Sequence, residues 1–168
     1  MPNSLEKAAS KTAGAVKGAN ATFKGLTGVF KHLMEEHGKV SALMTRVKMT
    51  SDAEKRGELY PTIRSELLAH ERGELNVVYP ELERHPETSG IAGMHSEQAS
   101  ELQAAIAAVD ALAYSDAGWR SAFERLVELV GEHVEQEESD FFPKAQKAIG
   151  DKKAEALLPR FEAAKHGH

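Results

Sequence analysis

Residues 119–143 read WRSAFERLVELVGEHVEQEESDFFP, and this stretch decides the fold class. Its large apolar side chains recur every three or four residues, the spacing that places them on one face of an α-helix. That face consists of Trp119, Phe123, Leu126, Val130, His133, Glu137 and Phe141. The stretch therefore predicts a long amphipathic helix that carries one histidine and one glutamate into the protein core.

Three other stretches have the same periodicity, and no stretch alternates as a β-strand does. The patterns predict helices over residues 22–49, 52–80, 91–112 and 119–149, with bends at Pro61 and Pro143. A short last helix, interrupted by Pro159, is expected to follow. Four long helices with short connections predict an all-α, antiparallel up-down four-helix bundle with extra terminal helical segments. The predicted divisions are an N-terminal extension (1–24), the bundle (25–148) and a short C-terminal helix and tail (149–168).

Each predicted bundle helix has one histidine on its apolar face, and two of them have a glutamate four residues later. The histidines are His37, His70, His95 and His133, and the glutamates are Glu74 and Glu137. A buried carboxylate without a partner costs several kcal/mol, and no Lys or Arg shares these faces. Imidazole and carboxylate are natural ligands of transition metals, so a two-metal centre is favoured. A purely structural role, as a hydrogen-bonded core residue, would explain one such histidine. It is an improbable explanation for one histidine at the same place on each of four helices.

The two halves of the chain repeat one motif. Residues 70–80 read HERGELNVVYP, and residues 133–143 read HVEQEESDFFP. Each copy begins with histidine, has glutamate four positions later and ends in an aromatic–proline pair. A single histidine, His37 or His95, lies on the helix before each copy. The repeat predicts that one helix-pair plan is used twice.

This ordered set of motifs resembles the hemerythrin-like domains of the His–His–Glu cation-binding type, over roughly residues 25–148. The resemblance includes Glu36-His37 and Met94-His95 on the first and third helices. It implies two iron ions joined by an oxo or hydroxo bridge. The implied ligands are His37 and His70 for one iron, His95 and His133 for the other, and Glu74 and Glu137 as bridges.

The sequence departs from the oxygen-carrying hemerythrins at two places. Those proteins have a second histidine four residues after the first on the third helix, where this chain has Ala99. They also have an aspartate five residues after the last histidine, whereas here Glu137 is four and Glu138 five residues on. The six-ligand set implies an open coordination position on one iron, which favours redox chemistry or sensing over oxygen carriage. Glu71 and Glu138 are candidate additional ligands, with a surface or outer-shell position favoured for both.

Composition excludes several other classes of protein. The chain has 168 residues and no cysteine, which suits one domain and excludes disulfides, zinc–thiolate sites and iron–sulfur clusters. A net charge of -5 argues against a nucleic-acid partner. Without a long apolar run at the N-terminus, no membrane association is expected and a cytoplasmic location is predicted. The remaining histidines are predicted to lie outside the core, and they are His32, His85, His166 and His168.

Three functions are compatible with these observations. The first is a non-haem di-iron protein that binds, senses or detoxifies dioxygen, peroxide or nitric oxide. The second is a peroxidase-like or catalase-like di-iron enzyme; a ferritin relative is disfavoured because ferritin sites use Glu followed three residues later by His. The third is a metal-stapled interaction scaffold, in which residues 1–24 dock onto a partner or onto a second copy in a homo-oligomer.

Overall fold

The computed structural model describes residues 1–167, and every regular element among them is a helix. The α-helices are α1 (Ser4–Phe23), α2 (Gly28–Lys48), α3 (Ala53–Gly73), α4 (Tyr79–Glu83), α5 (Ser89–Asp110), α6 (Trp119–Gln136), α7 (Phe142–Ile149) and α8 (Asp151–Lys165). Helices α2, α3, α5 and α6 form the bundle, while α1 packs along α2 and α8 packs against α2 and α3. The prediction of an all-α helical bundle is confirmed.

Most of the predicted N-terminal extension (1–24) forms one helix of 20 residues. Asn3 and Glu6 begin it with a capping box, in which each side chain accepts the backbone N–H of the other residue at 2.9 and 2.7 Å. Gly25 then adopts a φ of 78°, which a helix interior does not allow. The first bundle helix therefore begins at Gly28 instead of residue 22.

The predicted interruption at Pro159 is wrong, and the bend predicted at Pro61 does not end its helix. Helix α3 continues through Pro61, and helix α8 continues through Pro159. An interior proline removes one backbone hydrogen bond and costs about 3 kcal/mol. Buried side chains on both sides of each proline hold the helices to the core, Tyr60 and Ile63 in α3 and Leu157 and Phe161 in α8.

The repeated motif produces the same backbone feature in both halves. A π-helical turn follows α3 at Glu74–Val78, and another follows α6 at Glu137–Phe141. The residue before each proline donates its N–H to the carbonyl five residues earlier, from Tyr79 to Glu74 and from Phe142 to Glu137. Because proline has no N–H to donate, the helical ladder can shift by one residue at this point. Each core glutamate is thus the first residue of a π turn, a feature that often marks functional sites.

The buried apolar side chains form two clusters with a polar layer between them. One cluster contains Phe30, Leu33, Tyr79 and Phe142, together with the α8 side chains. The other contains Met44, Ile63, Leu102, Phe123 and Trp119 at the opposite end of the bundle. The core histidines and glutamates occupy the layer between these clusters, so apolar side chains isolate them from solvent at both ends.

Candidate metal centre

All six residues that the sequence singled out lie in this central layer, and five of them fall in two groups of neighbouring ligand atoms, while His133 joins neither group and contacts His95 only through its ring. Glu74, Glu137, His37, His95 and His133 are buried, and His70 is largely buried. The prediction that these six side chains point into the core agrees with their positions. Their role as metal ligands stays a prediction.

One group of ligand atoms gathers around His37 and His70. The two Nε2 atoms lie 3.2 Å apart, close to the spacing of two nitrogens bound to one ion through bonds of about 2.1 Å. Glu74 Oε1 is 3.3 Å from His70 Nε2, and Glu137 Oε1 is 3.6 Å from His37 Nε2. One ligand atom from each of the four residues lies within 4.8 Å of the other three. Two neutral imidazoles and two carboxylates at this spacing can hold one cation.

A second group gathers around His95. Its Nε2 lies 2.9 Å from Glu71 Oε1 and 3.5 Å from Glu74 Oε2. The His133 ring stacks on His95 with a centroid distance of 5.5 Å. Glu74 therefore faces both groups, with Oε1 towards His70 and Oε2 towards His95. This is the placement expected of a carboxylate that bridges two metal ions.

Glu71 lies inside the site, so a surface position for it is wrong, and whether it binds a metal directly or from the outer shell stays a prediction. Its side chain is 5% exposed and contacts His95 directly. Glu71 precedes Glu74 by three residues, so both carboxylates share one side of α3. That spacing was the signal in the sequence that could have assigned Glu71 to the site.

Glu36 and Glu138 form an outer layer around the first histidine pair. His70 Nδ1 donates to Glu36 Oε2 at 2.7 Å, and His37 Nδ1 donates to Glu138 Oε1 at 3.0 Å. A carboxylate that accepts the Nδ1 proton fixes the imidazole so that its Nε2 lone pair faces a metal. Glu138 is thus buried against His37 and not at the surface, and its outer-shell role stays a prediction.

Helix α8 closes this side of the site. His32, predicted to be solvated, is half-buried because Glu36 and Glu162 both lie against its Nε2 atom. Burial alone would raise the pKa of Glu36, but contacts with His32, His70 and Lys165 lower it well below its ordinary value. Glu36 therefore remains a carboxylate that can accept the imidazole proton. His168 lies outside the described residues.

Tyr79 orients one of the predicted bridging carboxylates. Its hydroxyl donates to Glu137 Oε2 at 2.6 Å, and its ring stacks on His95 at a centroid distance of 3.6 Å. Burial and the Glu137 carboxylate raise the pKa of Tyr79 well above its ordinary value, so the hydroxyl keeps its proton. Tyr79 thus engages Oε2 of Glu137, whose Oε1 is the oxygen nearer to His37.

Several buried polar atoms in this layer have no hydrogen-bond partner among the described residues. They are Glu71 Oε1, Glu74 Oε1, His133 Nε2 and both ring nitrogens of His95. Each buried polar group without a partner costs about 1 to 3 kcal/mol. Because these atoms are also imidazole and carboxylate ligands facing the same space, the donor set fits transition-metal ions.

The titrating groups of this layer influence one another strongly. Burial and the Glu74 carboxylate raise the pKa of Glu137 to about 7. Burial opposes protonation of His95, but Glu74 and Glu71 raise its pKa to about 8. Burial lowers the pKa of His133.

The metal-free protein is expected to lose roughly 5 kcal/mol of stability between pH 5 and pH 8.5. The folded state keeps protons on Glu137 and His95 above the pH at which the unfolded chain releases them near 4.5 and 6.5. It therefore binds more protons, and its free energy of unfolding falls as pH rises. His70 adds to this loss, because burial opposes its protonation but Glu74 and Glu36 raise its pKa well above the ordinary value. His133 opposes the loss. Urea unfolding across this range measures the loss. A Glu137→Gln variant should flatten the profile, and a stability that rises with pH in the unaltered chain would contradict the assignment.

A cavity of about 190 Å³ adjoins the site. Its apolar wall consists of Val40, Met44, Leu67, Leu102, Val127 and Val130. His70, Glu74 and His133 line it on the inner side, while exposed Ser41 and Thr45 lie at its rim. The cavity therefore extends from exposed residues of the bundle surface to the candidate ligands, and its lining is mostly apolar.

Comparison with known proteins gives two further findings. The family profile described as "Hemerythrin HHE cation binding domain" matches residues 28–145. A curated protein named DNA nickase, from Nostoc sp. (strain PCC 7120 / SAG 25.82 / UTEX 2576), is 28% identical over 130 residues. That alignment covers 77% of this chain but only 37% of the relative's length. No solved structure matches. Within residues 1–167, no helix combines the length and the apolar composition that crossing a membrane requires.

Proposed function

The chain belongs to the hemerythrin family of HHE cation-binding domains, and from that premise we propose that it holds two iron ions and binds, senses or detoxifies a small molecule there. His37 and His70 would hold one ion, and His95 and His133 the other. Glu74 and Glu137 would bridge them, and Glu71 is an additional candidate ligand on the His95 side.

The observation that carries this proposal is the position of Glu74 between the two groups. Its oxygens lie 3.3 Å from His70 Nε2 and 3.5 Å from His95 Nε2. A carboxylate buried for hydrogen bonding alone would be expected to have donors on both oxygens, yet Oε1 has no hydrogen-bond partner among the described residues. A pair of cations would satisfy this carboxylate and its neighbours together.

Iron bound here would supply redox chemistry and a coordination position for the small molecule. The protein contributes the surroundings. Tyr79 holds Glu137 through its hydroxyl, and Glu36 and Glu138 hold the imidazoles of the first pair. The apolar clusters at both ends of the layer limit the access of water.

The lining of the cavity favours an uncharged and weakly polar small molecule. Most of the lining surface is apolar, from six side chains on four helices, although Lys17, Lys48 and Glu66 also line the cavity. Dioxygen and nitric oxide need no hydrogen-bond partners to enter such a cavity, whereas peroxide would lose hydrogen bonds to water. We therefore place dioxygen and nitric oxide ahead of peroxide as the physiological ligand.

A cavity-filling variant tests this route. In Val130→Phe, the larger side chain is expected to slow the visible absorption change on mixing reduced, iron-loaded protein with dioxygen by about tenfold or more, as about 1.4 kcal/mol of added barrier would do. Iron content should stay unchanged, because Val130 lines the cavity wall without contributing a ligand atom. Stopped-flow absorption measures the rate.

Leu129→Phe is the matched control, because Leu129 precedes Val130 on α6 and does not line this cavity. Equal rates in the Val130→Phe variant and the unaltered chain would contradict the route. Rapid oxygen release from peroxide, abolished by Glu74→Ala, would instead support a catalase-like enzyme.

The activity named for the Nostoc relative is not part of this proposal. The matched region is 37% of that protein, so the rest of its length has no counterpart in the alignment. The net charge of -5 also gives this chain little attraction for a phosphate backbone. We therefore propose a small-molecule partner and no nucleic-acid partner.

A further inference from the structure

Two lysines outside the matched region reach the surroundings of the first histidine pair. We propose that Lys17 and Lys165 are positioning residues that fix the His37 and His70 imidazoles for metal binding. We call the contacts of Lys17 with Glu138 and of Lys165 with Glu36 the lysine clamp. The inference rests on the proposed function, because it concerns the affinity of the His37–His70 pair for an ion.

The first half of the clamp comes from α1. Lys17 Nζ donates to Glu138 Oε2 at 2.6 Å. The other oxygen of Glu138, Oε1, lies 3.0 Å from His37 Nδ1. Glu138 thus connects a lysine of the N-terminal helix to one imidazole, and each of its oxygens has one partner in this chain of contacts.

The second half comes from α8 and has the same form. Lys165 Nζ donates to Glu36 Oε1, and Glu36 Oε2 lies 2.7 Å from His70 Nδ1. Two lysines on two terminal helices therefore make equivalent contacts to the two histidines of a single pair. One such contact could be an incidental ion pair, whereas the duplication on one histidine pair points to a shared role.

Close packing fixes both terminal helices in place. On α1, a Cβ atom added at Gly38 would lie 2.4 Å from the Ala13 carbonyl oxygen, so the backbones of α1 and α2 are in direct contact. On α8, a Cβ atom added at Gly73 would lie 2.4 Å from the Phe161 ring. The lysines thus project from helices whose positions allow little adjustment.

The clamp has a specific consequence for the imidazoles. A fixed carboxylate keeps the proton on Nδ1, which leaves the Nε2 lone pair directed into the site. Without Lys17, Glu138 would be free to turn away from the His37 ring, and without Lys165, Glu36 would keep only His32 as a partner besides His70. His95 Nδ1 has no hydrogen-bond partner among residues 1–167, so the clamp serves only one pair. Loss of the lysine clamp should therefore lower the affinity for the ion at the His37–His70 pair and leave the affinity for the other ion unchanged.

The test uses Lys17→Met, Lys165→Met and the double variant of the full chain. Cobalt(II) is titrated anaerobically against a competing chelator, and its visible absorption reports binding. Each single variant is expected to weaken the binding of one of the two cobalt ions by about threefold to tenfold, less than the loss of the carboxylate that contacts the imidazole directly. The double variant should lower the affinity for the same cobalt ion further. Lys11→Met and Lys152→Met are matched controls, because these exposed lysines lie on α1 and α8.

A second measurement requires no metal. Nitrogen-15 NMR of the metal-free protein is expected to show His37 with its proton on Nδ1, and Lys17→Met should weaken that preference while Lys17→Arg retains it. If the unaltered chain binds no cobalt, the proposed function fails, and this NMR comparison still tests the clamp. Unchanged tautomers and unchanged cobalt affinity in both single variants would overturn the inference. An equal loss of affinity for both cobalt ions would also overturn the inference.

Discussion

Glu74→Gln is expected to reduce the iron content from about two ions per chain to about one or fewer. Glu74 is the residue whose two oxygens face different histidine groups, 3.3 Å from His70 and 3.5 Å from His95. The amide has one oxygen and no charge, so it cannot bridge two cations. Iron is counted after anaerobic reconstitution and removal of free metal.

Without metal, the Glu74→Gln substitution should leave the thermal stability unchanged or raise it. Replacing a carboxylate that is 1% exposed by a neutral amide removes the cost of burying a charge, so the metal-free variant should melt no lower than metal-free wild type. Glu97→Gln on α5 is the control, because Glu97 is exposed. Two ions retained in the Glu74→Gln variant would contradict the bridging role.

Removing the metal from the unaltered chain should lower its melting temperature by about 8 to 16 °C. Ions at a thousandfold excess over their dissociation constant add about 4 kcal/mol of stability, and each kcal/mol corresponds to about 2 to 4 °C at this chain length. The physical reason is that chelation leaves Glu71, Glu74 and Glu137 buried beside one another. Calorimetry with and without a chelator measures the difference.

The Glu74→Gln variant provides the control for this second prediction. Because it should bind little iron, chelation should change its melting temperature much less than that of the unaltered chain. Equal melting temperatures for loaded and chelated wild type would show that the buried carboxylates need no cation.

Periodicity was sufficient to predict the fold and the inward direction of the six side chains. A histidine such as His133 on an apolar helix face has few alternatives to burial, because turning it outward would expose the neighbouring Leu126. The paired motifs also predicted a repeat, and the two π turns that begin at Glu74 and Glu137 show it in the backbone.

Features that depend on tertiary packing could not be predicted in the same way. The break at Gly25 and the uninterrupted helix at Pro61 depend on which side chains the core holds. Lys17 lies 121 residues from Glu138 in the chain, and Lys165 lies 129 residues from Glu36. Helical periodicity relates residues within one helix, so it carries no information on such distant pairs.

Diffraction at the iron absorption edge, from crystals of anaerobically reconstituted protein, tests the metal centre most directly. Two anomalous peaks are expected in the central layer, one beside His37 and His70 and one beside His95 and His133, with Glu74 between them. No peak in that layer, or iron bound only outside the bundle core, would contradict the proposal.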